Sequence, residues 1–179
     1  RMGHAQRLAS LGRALGFGVT IVDEVIELEG KASSTAIRQA LHAGEPETAA
    51  ELLGTWWIAD GVVESGEKNG RTLGFPTANL HLGDLIHPRH GIYAVRARID
   101  RQGDWLDGVA NFGRTPTTGI RDPLLETHIF DFDDDLYGKW LEVQLISFIR
   151  PELKFADLDA LVEAMHADAA EARKRLANL

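Results

Sequence analysis

Apolar residues return at three-to-four spacing from about Ala5 to Leu15 and again from about Asp157 to Leu176, the period of helices that bury one face. In the second helix the stripe is Leu158, Leu161, Met165, Ala169, Ala172 and Leu176. After the first helix, Val19, Ile21 and their neighbours alternate up to Leu28, which predicts a strand. Two short helices follow. Ser33-Ser34-Thr35 offers cap residues for one that ends at Gly44, and Pro46 opens another that stops at Gly54. From Trp56 onward the pattern changes to short β-type runs, near 57–64, 91–99, 105–112, 125–132 and 140–149, separated by Gly, Pro, Asn and Asp. Strands at that spacing without helices between them predict an antiparallel sandwich or barrel. A boundary is therefore expected near Gly54, between an α/β segment at 1–54 and a mainly β domain at 55–179.

Composition narrows the function classes. A chain of 179 residues with 44% hydrophobic content can bury a sizeable core. A formal net charge of −8 argues against nucleic acid as a partner, since phosphate contacts need a basic surface. The one basic cluster, Arg173-Lys174-Arg175, sits where it complements the C-terminal end of the last helix. Cysteine is absent, so thiolate metal sites and thiol nucleophiles are excluded. No apolar run is long enough to span a membrane and the start lacks a signal-peptide layout, so a cytoplasmic protein is expected. Oligomeric state is not legible.

The candidate chemistry gathers at residues 65–79. Gly66, Gly70 and Gly74 alternate with the cations Lys68 and Arg71. Glycines let backbone N–H groups approach an anion, so the loop suits a polyphosphate, although it lacks the Gly-Lys-Ser/Thr of a Walker A loop. A polar surface hairpin is the alternative. Pro76 then fixes the chain before Thr77, and Thr77 and Asn79 share one face of an extended segment. A hydroxyl and an amide oxygen are hard ligands of the kind Mg²⁺ accepts beside nucleotide phosphates. Three histidines, His81, His87 and His90, crowd one stretch without a recognised transition-metal spacing.

The run from Gly70 through Arg71-Thr72-Leu73-Gly74-Phe75-Pro76-Thr77-Ala78 to Asn79 resembles the signature of riboflavin kinases. Further matches follow in order: Gly91-Ile92-Tyr93-Ala94, Gly108-Val109-Ala110-Asn111-Phe112-Gly113 with Thr115-Pro116-Thr117, and Leu125-Glu126-Thr127-His128-Ile129-Phe130. Asp135-Leu136-Tyr137-Gly138, Phe148-Ile149-Arg150-Pro151-Glu152 and Lys154-Phe155 complete the set, so the resemblance runs from about Trp56 to Leu176. Upstream, Ala32-Ser33-Ser34-Thr35-Ala36-Ile37-Arg38 resembles a motif of the FMN adenylyltransferase modules that precede the kinase in bacterial FAD synthetases. No His-x-Gly-His type motif accompanies it. Residues 1–54 thus look like the C-terminal remnant of a nucleotidyltransferase domain attached to a riboflavin kinase domain.

The resemblance implies a six-stranded antiparallel Greek-key barrel with the long helix packed on it, and transfer of the ATP γ-phosphate to the 5′-hydroxyl of riboflavin, giving FMN. It implies Mg²⁺ held by Thr77 and Asn79, and phosphates covered by Arg71 and the backbone around Gly66. Glu126, on spacing alone a strand carboxylate facing solvent, becomes the base. Adenine and ribose contacts map to Ile129, Asp131 and Tyr137, with a solvated acidic loop as the other reading of Asp131. The flavin maps to Arg150, Leu153 and Phe155, with plain packing between barrel and helix as the alternative for Phe155.

Overall fold

The computed structural model describes residues 5–21, 26–27, 30–31, 33–64, 74–113 and 123–179. Contacts divide the chain into two compact units, Arg1–Ala32 and Ser33–Leu179. In the first, helix α1 (Ala5–Leu15) ends where Phe17 N–H donates to the Gly12 carbonyl at 3.0 Å. Strand β1 (Ile26–Glu27) pairs antiparallel with β2 (Gly30–Lys31). Val19 and Ile21, expected in a strand, stand outside any regular element, and 22–25 lie outside the described residues.

The second unit opens with helices α2 (Ser34–Ala43) and α3 (Pro46–Leu53), bounded by the punctuation expected. The Ser33 side chain accepts from Ala36 N–H at 3.1 Å, which satisfies one of the N-terminal donors left over by the helix. Gly44, at φ 82°, takes the left-handed conformation that ends α2. Both helices pack with the β domain: Ala40, Leu41 and Ala49 belong to its core, and Arg89 N–H donates to the Leu41 carbonyl at 2.9 Å. Packing therefore divides at Ser33, while the change of hydrophobic pattern falls near Gly54.

Six antiparallel strands make the β domain: β3 (Ile58–Val62), β4 (Ala78–His81), β5 (Gly91–Ile99), β6 (Gln102–Gly113), β7 (Leu124–Ile129) and β8 (Trp140–Arg150). Their order is β3-β8-β5-β6-β7-β4. Consecutive β5, β6 and β7 with β8 returned beside β5 form a Greek key. An isolated bridge between Glu64 and Asn79 joins the two ends, so the sheet is a nearly closed barrel with its seam at Asn79. Alternation sends Leu125, Thr127 and Ile129 of β7 inward, with Tyr93, Val95, Phe112, Leu141, Val143 and Leu145 from neighbouring strands. Burial pushes the Tyr93 phenol well above its ordinary range, and its hydroxyl donates to the Arg89 carbonyl at 2.6 Å.

Two expectations change. The run near 125–132 ends as a strand at Ile129, because Asp131 adopts φ 56° and turns the chain out of the ladder. Strand β4 is too short and mixed in polarity to show as a separate alternating run.

Helix α4 (Leu158–Leu176) lies over the outer barrel face, its N-terminus capped by Asp157, which accepts from Ala160 N–H at 2.8 Å. Ala172 and Leu176 pack with Ala94, Val109, Phe130 and Ile146. Leu158 was expected in this stripe but is 57% exposed, while Asp168 takes a buried place in the covered face. Its carboxylate accepts two bonds from Arg150, at 2.7 and 2.6 Å, which makes a buried acid tolerable there.

Candidate active site

Strand register builds the site. Glu126 on β7 stands directly opposite Asn79 on β4 and, on its other side, opposite Asn111 on β6. Directly paired residues project to the same side with Cβ atoms roughly 4.5–5.5 Å apart. Asn79, Glu126 and Asn111 therefore form a row on the outer face, and His128, two residues beyond Glu126, shares that face. Asn79 is 7% exposed and its Oδ1 has no hydrogen-bond partner in the protein, and the same holds for the buried Oδ1 of Asn111. A buried carbonyl oxygen left unpaired costs about 1–3 kcal/mol. That cost is removed if a cation or a donor occupies the space before it.

Beside this row, at the barrel seam, is a cleft of about 310 Å³. Thr77, Asn79, Thr127, Ile129 and Tyr137 help line it, and one rim carries Asp133, Asp134 and Asp135. The chain between β7 and β8 forms that rim because it is tied to β3: Gly138 N–H donates to the Val63 carbonyl at 3.0 Å, and Val63 N–H to the Lys139 carbonyl at 2.9 Å. Asp135 accepts from Tyr137 N–H at 3.0 Å, fixing the turn that sets Tyr137 on the cleft wall. The hydroxyl of Thr127 is buried and unpaired at the same cleft.

Of the residues singled out in the sequence, Thr77, Asn79, Ile129 and Tyr137 meet in the cleft, and Glu126 flanks it through its pairing with Asn79. Asp131 is directed elsewhere: Arg173 donates to both its oxygens at 2.9 and 3.0 Å and holds its carboxyl below the usual range. The Arg150 guanidinium is taken up by Asp168 and by the Pro151 carbonyl at 3.0 Å, with the half-buried Phe155 ring 5.7 Å away. Leu153 is 56% exposed. Gly66 and Arg71 lie outside the described residues. The three histidines go to different partners: His81 to Glu64, His87 to the Gly83 carbonyl and His90 to Glu152. Among the described residues no group of three or more His, Cys, Asp or Glu side chains could hold a metal ion.

Asn111, Thr127 and His128 were not assigned site roles from sequence. Alternation alone gives the shared face of His128 and Glu126. Nothing in the sequence sets the register that adds Asn111.

The model of the family described as "Flavokinase: Riboflavin kinase" matches residues 53–176. The chain belongs to the riboflavin kinase family. A bifunctional riboflavin kinase/FMN adenylyltransferase of Haemophilus influenzae is 38% identical over 97% of this chain and 56% of its own length. Its namesake from Escherichia coli K12 is 40% identical over 97% of this chain and 55% of its own length. The chain thus spans about half the length of the curated relatives it matches. A crystal structure titled as a macrolide-efflux protein from Streptococcus pneumoniae superposes with a TM-score of 0.78 at 37% identity, over 96% of this chain and 55% of that one. Among the described residues no helix is long and apolar enough to cross a membrane.

Proposed function

We propose that this domain transfers the γ-phosphate of ATP to the 5′-hydroxyl of riboflavin, giving FMN and ADP, with Glu126 as the base. The observation that carries the reading is the row of Asn79 and Glu126 at the edge of the seam cleft, with the Asn79 oxygen buried and unpaired. The orphaned amide oxygen and the nearby Thr77 hydroxyl are the hard, neutral donors that suit Mg²⁺ shared with phosphates. Mg²⁺ bound there supplies charge neutralisation for the phosphates.

The chain's own residues divide the remaining work. The rim of Asp133, Asp134 and Asp135 repels phosphates, so it favours the hydroxyl and amino donors of the nucleoside end. The triphosphate is thereby turned toward Thr77 and Asn79. Ile129 and Tyr137 offer apolar and aromatic surface to the base. Glu126 accepts the proton of the 5′-hydroxyl as that oxygen bonds to the γ-phosphorus and the bond to the bridging oxygen of ADP breaks. Such a positioned base contributes about 10²–10⁴-fold.

Arg150 contributes by geometry: its bonds to Asp168 and Pro151 fix the start of the segment that carries Leu153 and Phe155, which would receive the flavin ring. A Cβ at Gly113 would collide with the Glu152 carboxylate, so that side chain lies directly against the β6 backbone. In the intact protein we assign residues 1–54 to an FMN adenylyltransferase half, so that the parent chain makes FAD. A reaction that consumes ATP and riboflavin fits the cytoplasm.

Incubation with riboflavin, ATP and Mg²⁺, followed by chromatography of the flavins, tests the reading. FMN should accumulate in step with ADP. Flavin binding without FMN would instead identify a sensor module.

A further inference from the structure

We infer that His128 is a positioning residue, whose Nδ1–H holds the Pro76 carbonyl and so sets Thr77 for the nucleotide; this rests on the kinase reading above. The β4–β7 ladder ends at the pair Ala78 and Thr127. Pro76 and Thr77 stand beyond that last pair, and proline has no N–H with which to extend it. His128 is the next residue on β7, and its Nδ1 lies 2.9 Å from the Pro76 oxygen. A carbonyl only accepts, so Nδ1 carries the hydrogen. The side chain thus replaces a missing rung of the ladder, and Thr77 is held between a backbone anchor at Ala78 and a side-chain anchor at Pro76.

The ring is itself fixed. Phe75 meets it edge-on at 5.1 Å and Phe130 at 5.8 Å, and Phe75, buried at 6% exposure, also contacts His166 of α4 at 4.9 Å. Orientation is therefore settled by packing before a ligand arrives, which is the usual arrangement for a group that aims another. A ring that only filled space between Phe75 and Phe130 would be replaceable by any side chain of similar bulk. The hydrogen bond makes a different demand.

Asparagine places an amide nitrogen near the position of Nδ1, and phenylalanine keeps the bulk without a donor. Calorimetric titration of wild type, His128→Asn and His128→Phe with Mg·ADP tests the inference, with KM for Mg·ATP and for riboflavin measured alongside. His128→Asn should bind Mg·ADP within about threefold of wild type. His128→Phe should bind about tenfold more weakly, the range expected for one lost hydrogen bond, with riboflavin KM and melting temperature little changed. Wild-type affinity in His128→Phe overturns the inference, as does an Asn variant as weak as the Phe variant. If wild type binds Mg·ADP with this pattern but makes no FMN, the kinase reading fails and the positioning role stands. If wild type binds no Mg·ADP, both fail.

Discussion

Removing the Asp168 carboxylate should destabilise the domain heavily. The two bonds from Arg150 are short, the Asp168 side chain is 9% exposed, and Arg150 is 21% exposed. Breaking a buried pair by deleting one partner costs about 3–5 kcal/mol, mainly because the other charge is left uncompensated. Arg150 retains some water and its bond to the Pro151 carbonyl, which places Asp168→Ala near the lower end, about 3 kcal/mol. For a domain of this size that is a fall in melting temperature of about 6–12 °C. Arg150→Met with Asp168→Leu replaces the pair by apolar groups of similar volume and should recover most of the loss. The assay is thermal and urea unfolding of the three proteins, with riboflavin KM measured on those that fold. A loss below about 1 kcal/mol in Asp168→Ala would show that the pair is effectively solvated. A double variant that regains stability with riboflavin KM unchanged would show that the Arg150 bonds do not position the flavin segment.

Three further outcomes follow from the same structure. Asn79→Leu removes a buried unpaired oxygen, so it should raise stability by up to about 1 kcal/mol while abolishing Mg·ATP turnover; a less stable variant that still makes FMN contradicts the assignment. The Tyr93 pKa is raised by burial, so its contribution is full below the unfolded-state value near pH 10 and is lost as pH climbs toward the higher folded value. Alkaline titration should therefore show Tyr93 ionising together with loss of circular dichroism, and an isolated ionisation with the fold intact would refute this. Asp131→Asn should leave KM for Mg·ATP within about twofold, because its carboxylate serves Arg173; a rise of tenfold or more would return Asp131 to the nucleotide site.

Features written into neighbouring residues were legible in the sequence. Ser33, Gly44, Pro46 and Gly54 bound α2 and α3 as expected, since capping is settled within a turn of helix. The short β-type runs near 91–99, 105–112 and 140–149 match β5, β6 and β8 to within a few residues. The six-stranded barrel came from the family resemblance, because β4 has four residues and no clear alternation of its own. Side-chain commitments across the fold were hidden. The sequence does not show that Arg150 and Asp131 have partners on α4, Asp168 and Arg173. Asn111 joins the site only through cross-strand register, which packing of both faces decides.

If the carboxylate facing Asn79 takes a proton during phosphoryl transfer, removing its charge should slow the chemical step and leave binding in place. Single-turnover formation of FMN by Glu126→Gln, with riboflavin and Mg·ADP affinities measured on the same protein, addresses it most directly. Binding should stay within a fewfold of wild type while the rate falls by about 10²-fold or more. A variant that forms FMN at the wild-type rate contradicts it.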